Sequence, residues 1–318
     1  MKAIGVNRFG GPEVLEVVEL PEPQPGPGEV RIRVHAVAVN PTDLMARSGG
    51  YGKRLDGQKP PYIPGMDSAG VIDALGPAAD GRLALGERVI AVTAPASPHK
   101  GSYAQQIIVP AASAVRAPKG VDFPAASTLL MNALTVRLGL DAIGLKPGQT
   151  LAVTGSAGAV GGYAIQLAKA DGLRVLADVS ESPADRTLLT ELGADVLVPR
   201  GPGFTERVRK LEPNGVPGLF DGALLNGEAA PAIADGGGLV TVRGWNEPVE
   251  RGIRVLPVMV ANGLKDTAKL ERLRDQVESG ALTLRVAKVL PASQAAEAHR
   301  LLAAGGVRGR IVLDFNAL

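Results

Sequence analysis

The chain has 318 residues, with 34 Lys or Arg against 32 Asp or Glu and a net charge of +2. The signs are interspersed, so no basic stripe follows a phosphate backbone, and 5 Phe, 4 Tyr and 1 Trp are too few for a base-stacking platform; nucleic-acid binding is excluded on both counts. Cysteine is absent, which removes disulfides, thiolate nucleophiles and thiolate-bound zinc or iron–sulfur centres.

This length suits two domains. Met1–Arg8 lacks an apolar run with a cleavage site, and no stretch approaches the roughly 18 apolar residues of a membrane span, so a soluble, cytoplasmic protein is expected. Residues 1–118 read as β-rich. After the Pro-rich loop Pro21–Gly28, Val30–Val39 alternates apolar and polar positions, as a strand with one buried face does, with Arg31, Arg33 and His35 on the polar side. Gly70–Ala74 and Arg88–Thr93 add short strands between Gly/Pro turns, predicting a barrel-like β domain.

The texture changes after Pro118. Helical spacing over 124–140 leads to Thr150–Thr154, a short apolar run suited to a buried parallel strand. Helix Val160–Ala170, strand Arg174–Asp178, helix Pro183–Leu192 and strand Val196–Pro199 follow. This alternation predicts right-handed βαβ units and a doubly wound parallel sheet. Leu219–Leu224, Gly238–Val242 and Gly252–Val260 supply further strands. Two helical patterns and a closing strand, Arg310–Asp314, complete the tail. None of the three histidines, His35, His99 and His299, is read as a functional group.

Thr154–Gly162, with Gly155, Gly158 and Gly161, sits where the apolar strand meets a helix. Glycines there permit a tight turn, close approach of a pyrophosphate and close packing of helix on strand, while the helix N-terminus offers unpaired amides to the phosphates. Asp178 ends the next strand, 20 residues beyond Gly158, a spacing suited to a carboxylate that accepts from the adenosine ribose of NAD. Ser180 and Arg186 follow closely and suit the 2′-phosphate of NADP, so the residues leave coenzyme choice open.

With this order of elements in hand, the chain resembles the medium-chain dehydrogenase/reductase superfamily, and within it the zinc-free quinone oxidoreductases of zeta-crystallin type. Asn40-Pro41-Thr42-Asp43 resembles that branch's N-P-x-D element, Pro64–Gly70 its P-G-x-D-x-A-G segment, Thr154–Gly162 its glycine turn, and Val307–Leu313 its closing strand. Zinc-dependent relatives carry Cys in the first region and Gly-His-Glu in the second, where this chain has Met66. The resemblance implies a Rossmann doubly wound domain at 123–262 inserted into a split, β-rich GroES-like domain at 1–122 and 263–318. It also implies a bound nicotinamide coenzyme, NADPH before NADH, no zinc, and a homodimer paired through the strand near 252–260. Asn40, Thr135 and the loop Arg243-Gly244-Trp245 fall to the nicotinamide, Ser156, Ala159 and Val160 join the three glycines on the pyrophosphate, and Arg308 and Arg310 of the closing strand join the coenzyme contacts. Local alternatives stay open for Thr135, as a helix residue bonding its own backbone, and for Trp245, as core.

Hydride transfer to an isolated ketone benefits from a Lewis acid. A quinone or α,β-unsaturated carbonyl delocalises the developing charge, so hydrogen-bond donors suffice. Tyr51, 11 residues after Asn40, resembles the tyrosine that enoyl thioester reductases use as acid, and is the expected catalytic donor with Asn40; its alternative is a half-exposed loop aromatic. Quinone oxidoreductases often carry Tyr five residues after that Asn, where this chain has Met45. Asp43 and Asp67 are expected to cap and brace rather than react, and Tyr62 to pack. Two other functions remain: an enoyl thioester reductase, and a coenzyme-binding regulatory protein with a vestigial site.

Overall fold

A computed structural model describes every residue except 80. In chain order the elements are β1 (Lys2–Gly5), β2 (Glu16–Glu19), β3 (Glu29–Ala38), α1 (Pro41–Ser48), β4 (Asp67–Leu75), β5 (Arg88–Val92), β6 (Gln106–Pro110), β7 (Ala114–Arg116), α2 (Phe123–Ala126) and α3 (Leu130–Ile143). There follow β8 (Thr150–Thr154), α4 (Ala159–Ala170), β9 (Arg174–Val179), α5 (Pro183–Glu191), β10 (Val196–Pro199), α6 (Phe204–Leu211), β11 (Val216–Asp221), β12 (Ile233–Thr241) and β13 (Arg254–Pro257). The chain closes with α7 (Thr267–Glu278), β14 (Val286–Pro291), α8 (Ala295–Ala304) and β15 (Arg310–Asp314). It divides into two compact units: Met1–Met131 with Leu264–Glu278 and Leu284–Leu318, and Asn132–Gly263 with Ser279–Thr283.

The first unit is built on a seven-stranded sheet in the order β14-β15-β3-β4-β5-β7, with β6 also pairing β3. Alternation governs the first half of β3, where Val30, Ile32 and Val34 are buried between partly exposed Arg31 and exposed Arg33. A register shift against β4 between Val34 and Ala36 interrupts the ladder, and Ala36, Val37 and Ala38 are all buried because Phe123 of α2 packs over Ala36 and Ala38 while Val37 faces the main core. His35 stacks on Phe123 of α2, with ring centroids 4.4 Å apart.

The second unit holds a six-stranded parallel sheet, β10-β9-β8-β11-β12-β13, doubly wound as the βαβ rhythm requires. Its centre is β8, whose Leu151, Ala152 and Val153 are fully buried; each such Leu or Val contributes about 1.5–3 kcal/mol by leaving water.

Several boundaries differ from the sequence expectation. The pattern over 124–140 is two helices: Ser127 and Thr128 donate their hydroxyls to the carbonyls of Pro124 and Ala125, at 2.8 and 2.7 Å, and the chain breaks there. β11 stops at Asp221 rather than 224, since Leu224 and Asn226 adopt left-handed φ of 64° and 54°. β13 is shorter than 252–260, a 3-10 turn taking over at Val260–Gly263. The β1–β2 hairpin, α6, and β14, which runs parallel to β15, were not anticipated.

Candidate functional site

In the second unit, four residues reverse the chain between Thr154 and Ala159. Gly155 takes φ +66°, and a Cβ on it would lie 2.7 Å from the carbonyl carbon of Gly222. Gly161 faces the turn from α4; a Cβ there would lie 2.2 Å from the Gly155 oxygen and 2.6 Å from Ser156 Cα, so only glycine lets the helix sit this close. Gly158 is the N-cap and carries no side chain to cap α4, which leaves the first-turn amides of Ala159, Val160 and Gly161 without intrahelical acceptors. Gly155, Gly158, Ala159 and Val160 are partly exposed. The first-turn amides at the positive end of a 12-residue helix, on a turn too close for side chains, make this the candidate site for an anion.

Asp178 reaches this turn, accepting the Ser156 N–H on Oδ1 at 2.7 Å. Ser156 is fully buried and spends its hydroxyl on the Val153 carbonyl at 2.9 Å, so it shapes the turn from below. Ser180 donates to the buried carboxylate of Asp185 in the first turn of α5, while Arg186 is exposed. Beneath the turn lies a carboxylate that sequence reasoning missed: fully buried Asp221 accepts from Thr154 Oγ1 and from the Asn226 N–H, both at 2.6 Å, and ties the loop after β11 to the end of β8. Thr135 is buried in α3. Arg243 and Gly244 form an exposed left-handed turn after β12, at φ 60° and 84°. Trp245 packs on that unit's core while its carbonyl accepts from Thr241 Oγ1 at 2.6 Å, which favours the packing role.

In the first unit the network is built of side chains. Asn40 caps α1, and Asp43 returns the bond by accepting the Asn40 N–H at 2.7 Å, a capping box with Asp at its third position. The Asn40 carboxamide points inward: Nδ2 donates to Ala38 O and Asp67 Oδ2, at 3.2 and 3.1 Å, and Oδ1 accepts from Arg310 Nη2 at 2.8 Å. Arg310 also donates to Asp67 Oδ2 at 3.0 Å and to the carbonyls of Val39 and Thr128. This ion pair is 4% and 1% exposed. Asn40 and Arg310, expected among the ligand contacts, are engaged here with one another and with Asp67: both amide hydrogens of Asn40 are taken and the guanidinium is buried, so both brace the site from within. Arg308, two residues earlier, is exposed.

Burial pushes the Asp67 carboxyl up, against the pull of Arg310. Asp43 is pushed up to about 7, chiefly by burial, with the Asn40 and Gly65 amides pulling down and Asp67 pushing the same way as burial. Tyr51 is 9% exposed rather than half-exposed, and packs with Ala46, Leu55 and partly buried Tyr62. Its hydroxyl lies 3.9 Å from Met66 Sδ, to which Thr42 Oγ1 also points at 3.2 Å. Burial, then the charge of Asp43, drives the phenol above its ordinary range, so it stays protonated.

Two further members were invisible in the sequence. Tyr103, fully buried, lies 3.2 Å from Asp43 Oδ2 and 3.1 Å from His299 Nε2. His299, read as ordinary, is fully buried, and desolvation with nearby Arg47 holds its pKa down to about 3.

The residues here do not fit zinc. Asn40 and Met66, which stand where zinc-dependent relatives place Cys and His, offer an inward-facing amide and a thioether, with the Arg310 guanidinium on the amide oxygen. Among the described residues no three His, Cys, Asp or Glu converge to hold a metal.

Comparison with known proteins matches residues 26–119 to the alcohol dehydrogenase GroES-like domain and residues 192–313 to the zinc-binding dehydrogenase family. A quinone oxidoreductase of Pseudomonas aeruginosa is 29% identical over 334 residues, covering 98% of this chain and 99% of the relative. The crystal structure of an NAD-dependent alcohol dehydrogenase matches at 31% identity and a TM-score of 0.88, over 99% of this chain and all of that one. A mycobacterial protein solved with NADPH matches at 30% identity and a TM-score of 0.87, with the same coverage.

Proposed function

The chain belongs to the medium-chain dehydrogenase/reductase superfamily, and from that premise we propose that it uses NADPH to reduce a quinone or an α,β-unsaturated carbonyl, with no metal ion taking part. It is an NAD(P)H-dependent oxidoreductase. The acceptor class rests on one observation above all: a buried, protonated Tyr51 beside Thr42, in a setting whose donor chemistry does not suit zinc. NADPH is supported by the mycobacterial neighbour solved with it. The domain division proposed for this activity is 1–122 with 263–318, and 123–262.

In this reading the turn Gly155–Gly161 holds a dinucleotide's diphosphate on backbone amides, and Asp178, which accepts the Ser156 N–H at that turn, takes the adenosine ribose. When bound, the nicotinamide supplies the hydride. The remaining work is done by side chains. Asn40, fixed by Asp67 and Arg310, holds the start of α1 rigid. Tyr51 donates its hydroxyl hydrogen to the enolate oxygen or carbon formed when the acceptor gains hydride, and the phenolate recovers a proton from water. We also propose a cytoplasmic homodimer; β13 is an edge strand whose outer side is unpaired among the described residues.

The enoyl thioester reading is kept because Tyr51 supports it as well. Tyr51→Phe should lower kcat for an enone or enoyl thioester on the order of 100-fold, while 9,10-phenanthrenequinone turnover and coenzyme affinity change by less than about threefold. Unchanged enone turnover removes Tyr51 from the mechanism. Absence of turnover with every acceptor class, coenzyme bound, sinks the enzymatic reading in favour of a regulatory protein.

A further inference from the structure

Tyr103, His299 and Arg47 take no part in the chemistry above, yet all three are buried, Arg47 on α1 itself. Tyr103 Oη bridges Asp43 Oδ2 and His299 Nε2, at 3.2 and 3.1 Å. His299 Nδ1, buried in α8, has no hydrogen-bond partner among the described residues. A phenol has one hydrogen, so with a neutral imidazole only two arrangements satisfy this chain. With Asp43 ionised, Tyr103 donates to the carboxylate and His299 Nε2–H donates to the phenol oxygen, leaving Nδ1 bare. With Asp43 protonated, the carboxyl donates to the phenol oxygen, Tyr103 donates to Nε2, and the ring carries its hydrogen on Nδ1. One proton separates the states: Nδ1 gains it, Nε2 passes its own to Tyr103, and Tyr103 passes its own to Asp43. The imidazole is neutral at both ends.

We propose that Asp43, Tyr103 and His299 form a buried proton relay in which Tyr103 and His299 are positioning residues, setting through Asp43 the cap on α1 and hence the placement of Asn40 and Tyr51. The coupling is geometric, because Asp43 Oδ2 accepts both the Asn40 N–H and the Tyr103 contact. Oδ1 holds the Gly65 N–H at 3.0 Å. Loading a proton on Oδ2 thus competes with the bond that closes the capping box. The charged and titratable groups facing Asp43 are Asp67 on β4, Arg310 on β15 and Tyr51 after α1. Arg47 of α1 faces His299, and Glu13 in turn faces Arg47. Burial lifts Asp43 to about 7 and holds His299 down to about 3, so the stored proton resides on Asp43 rather than as an imidazolium. The functional half of the inference rests on the reading of Tyr51 as acid; the relay itself does not.

The test is long-range 1H–15N correlation of the histidine rings in the full-length protein between about pH 5 and 9, with His299 assigned by loss of its signals in His299→Gln. The protonated and bare nitrogens of His299 should exchange identities with a midpoint near neutrality. In Tyr103→Phe the tautomer should stay fixed at every pH, and the midpoint of the enone kcat profile should move by at least about one pH unit. Should Tyr103→Phe fail to fold, Asp43→Asn should likewise freeze the tautomer. A single tautomer throughout in the native protein, or an imidazolium, overturns the relay. An exchanging tautomer in a protein that turns over no acceptor keeps the relay and defeats only the role of Tyr51.

Discussion

In the second unit the candidate site is backbone: three glycines, the first-turn amides of one helix end, and one carboxylate that reaches back across 22 residues to Ser156. In the first unit it is side chains, nearly all buried, joined over separations of 27 residues for Asn40–Asp67, 60 for Asp43–Tyr103, 196 for Tyr103–His299 and 243 for Arg310–Asp67. The first candidate site depends on space kept open beside a helix N-terminus. The other encloses two carboxylates, a guanidinium and a neutral imidazole, each needing a partner because water is gone. The two should therefore break differently, the first by adding atoms and the second by removing them.

The largest effect is expected at Arg310. Arg310→Met leaves Asp67 buried beside Asn40 without its cation, and removing one partner of a buried pair costs about 3–5 kcal/mol. Equilibrium urea unfolding at neutral pH should show that loss, and adding Asp67→Asn should restore at least half of it. If instead Arg310→Met leaves stability unchanged, the guanidinium is no brace, and ligand contact returns as its role.

Gly161 probes the opposite principle at a slightly smaller scale. Gly161→Ala drives a methyl against the Gly155 carbonyl, so α4 must back away from the turn, at roughly 1–3 kcal/mol for overpacking. Because the displaced amides are the candidate anion site, dinucleotide affinity should fall on the order of 100-fold, about 2.8 kcal/mol. Fluorescence titration with NADPH and NADH reads this directly. Equal affinity in the variant places the diphosphate elsewhere.

The same contrast explains what was legible in the sequence. The doubly wound sheet, the glycine turn and the place of Asp178 at the end of the next strand follow from local rules: an apolar run, a turn only glycine permits, and the fixed length of one βα unit; the bond from the Ser156 N–H to Asp178 came only with the structure. The inward turn of Asn40, the burial of Tyr51 and the contact of Tyr103 with His299 depend on which strands and helices become neighbours, and no local pattern encodes that. His299 shows the limit. On an amphipathic helix its position reads as ordinary, and only the packing of α8 against α1, β15 and Tyr103 makes it fully buried. The hidden position of Asp221 is similar, an acid inside the expected strand Leu219–Leu224 that carries no signal of its own until Thr154 and the Asn226 amide close on it.

The smallest expected effect is the native protein's net response to pH, in which the two titrating groups of the first unit oppose each other. Asp43 is raised from 3.8 to about 7, so the native state binds more protons across that window; its contribution to stability is complete below about pH 4 and is lost as pH rises to about 7. His299 is lowered from 6.5 to about 3, so the unfolded state binds more protons there, and its contribution is complete above about pH 6.5 and lost as pH falls. Between about pH 4 and 6.5 the two slopes oppose, and the native protein should be nearly indifferent to pH on their account. Each single variant uncovers the other slope. Asp43→Asn should gain stability as pH rises through this window, and His299→Gln should lose it, each by at most about 1.4 kcal/mol per pH unit, one proton's worth. Urea midpoints across the window measure both. Slopes of the same sign in the two variants would mean that one of these groups does not titrate as its surroundings dictate, and the tautomer of His299 would then identify which.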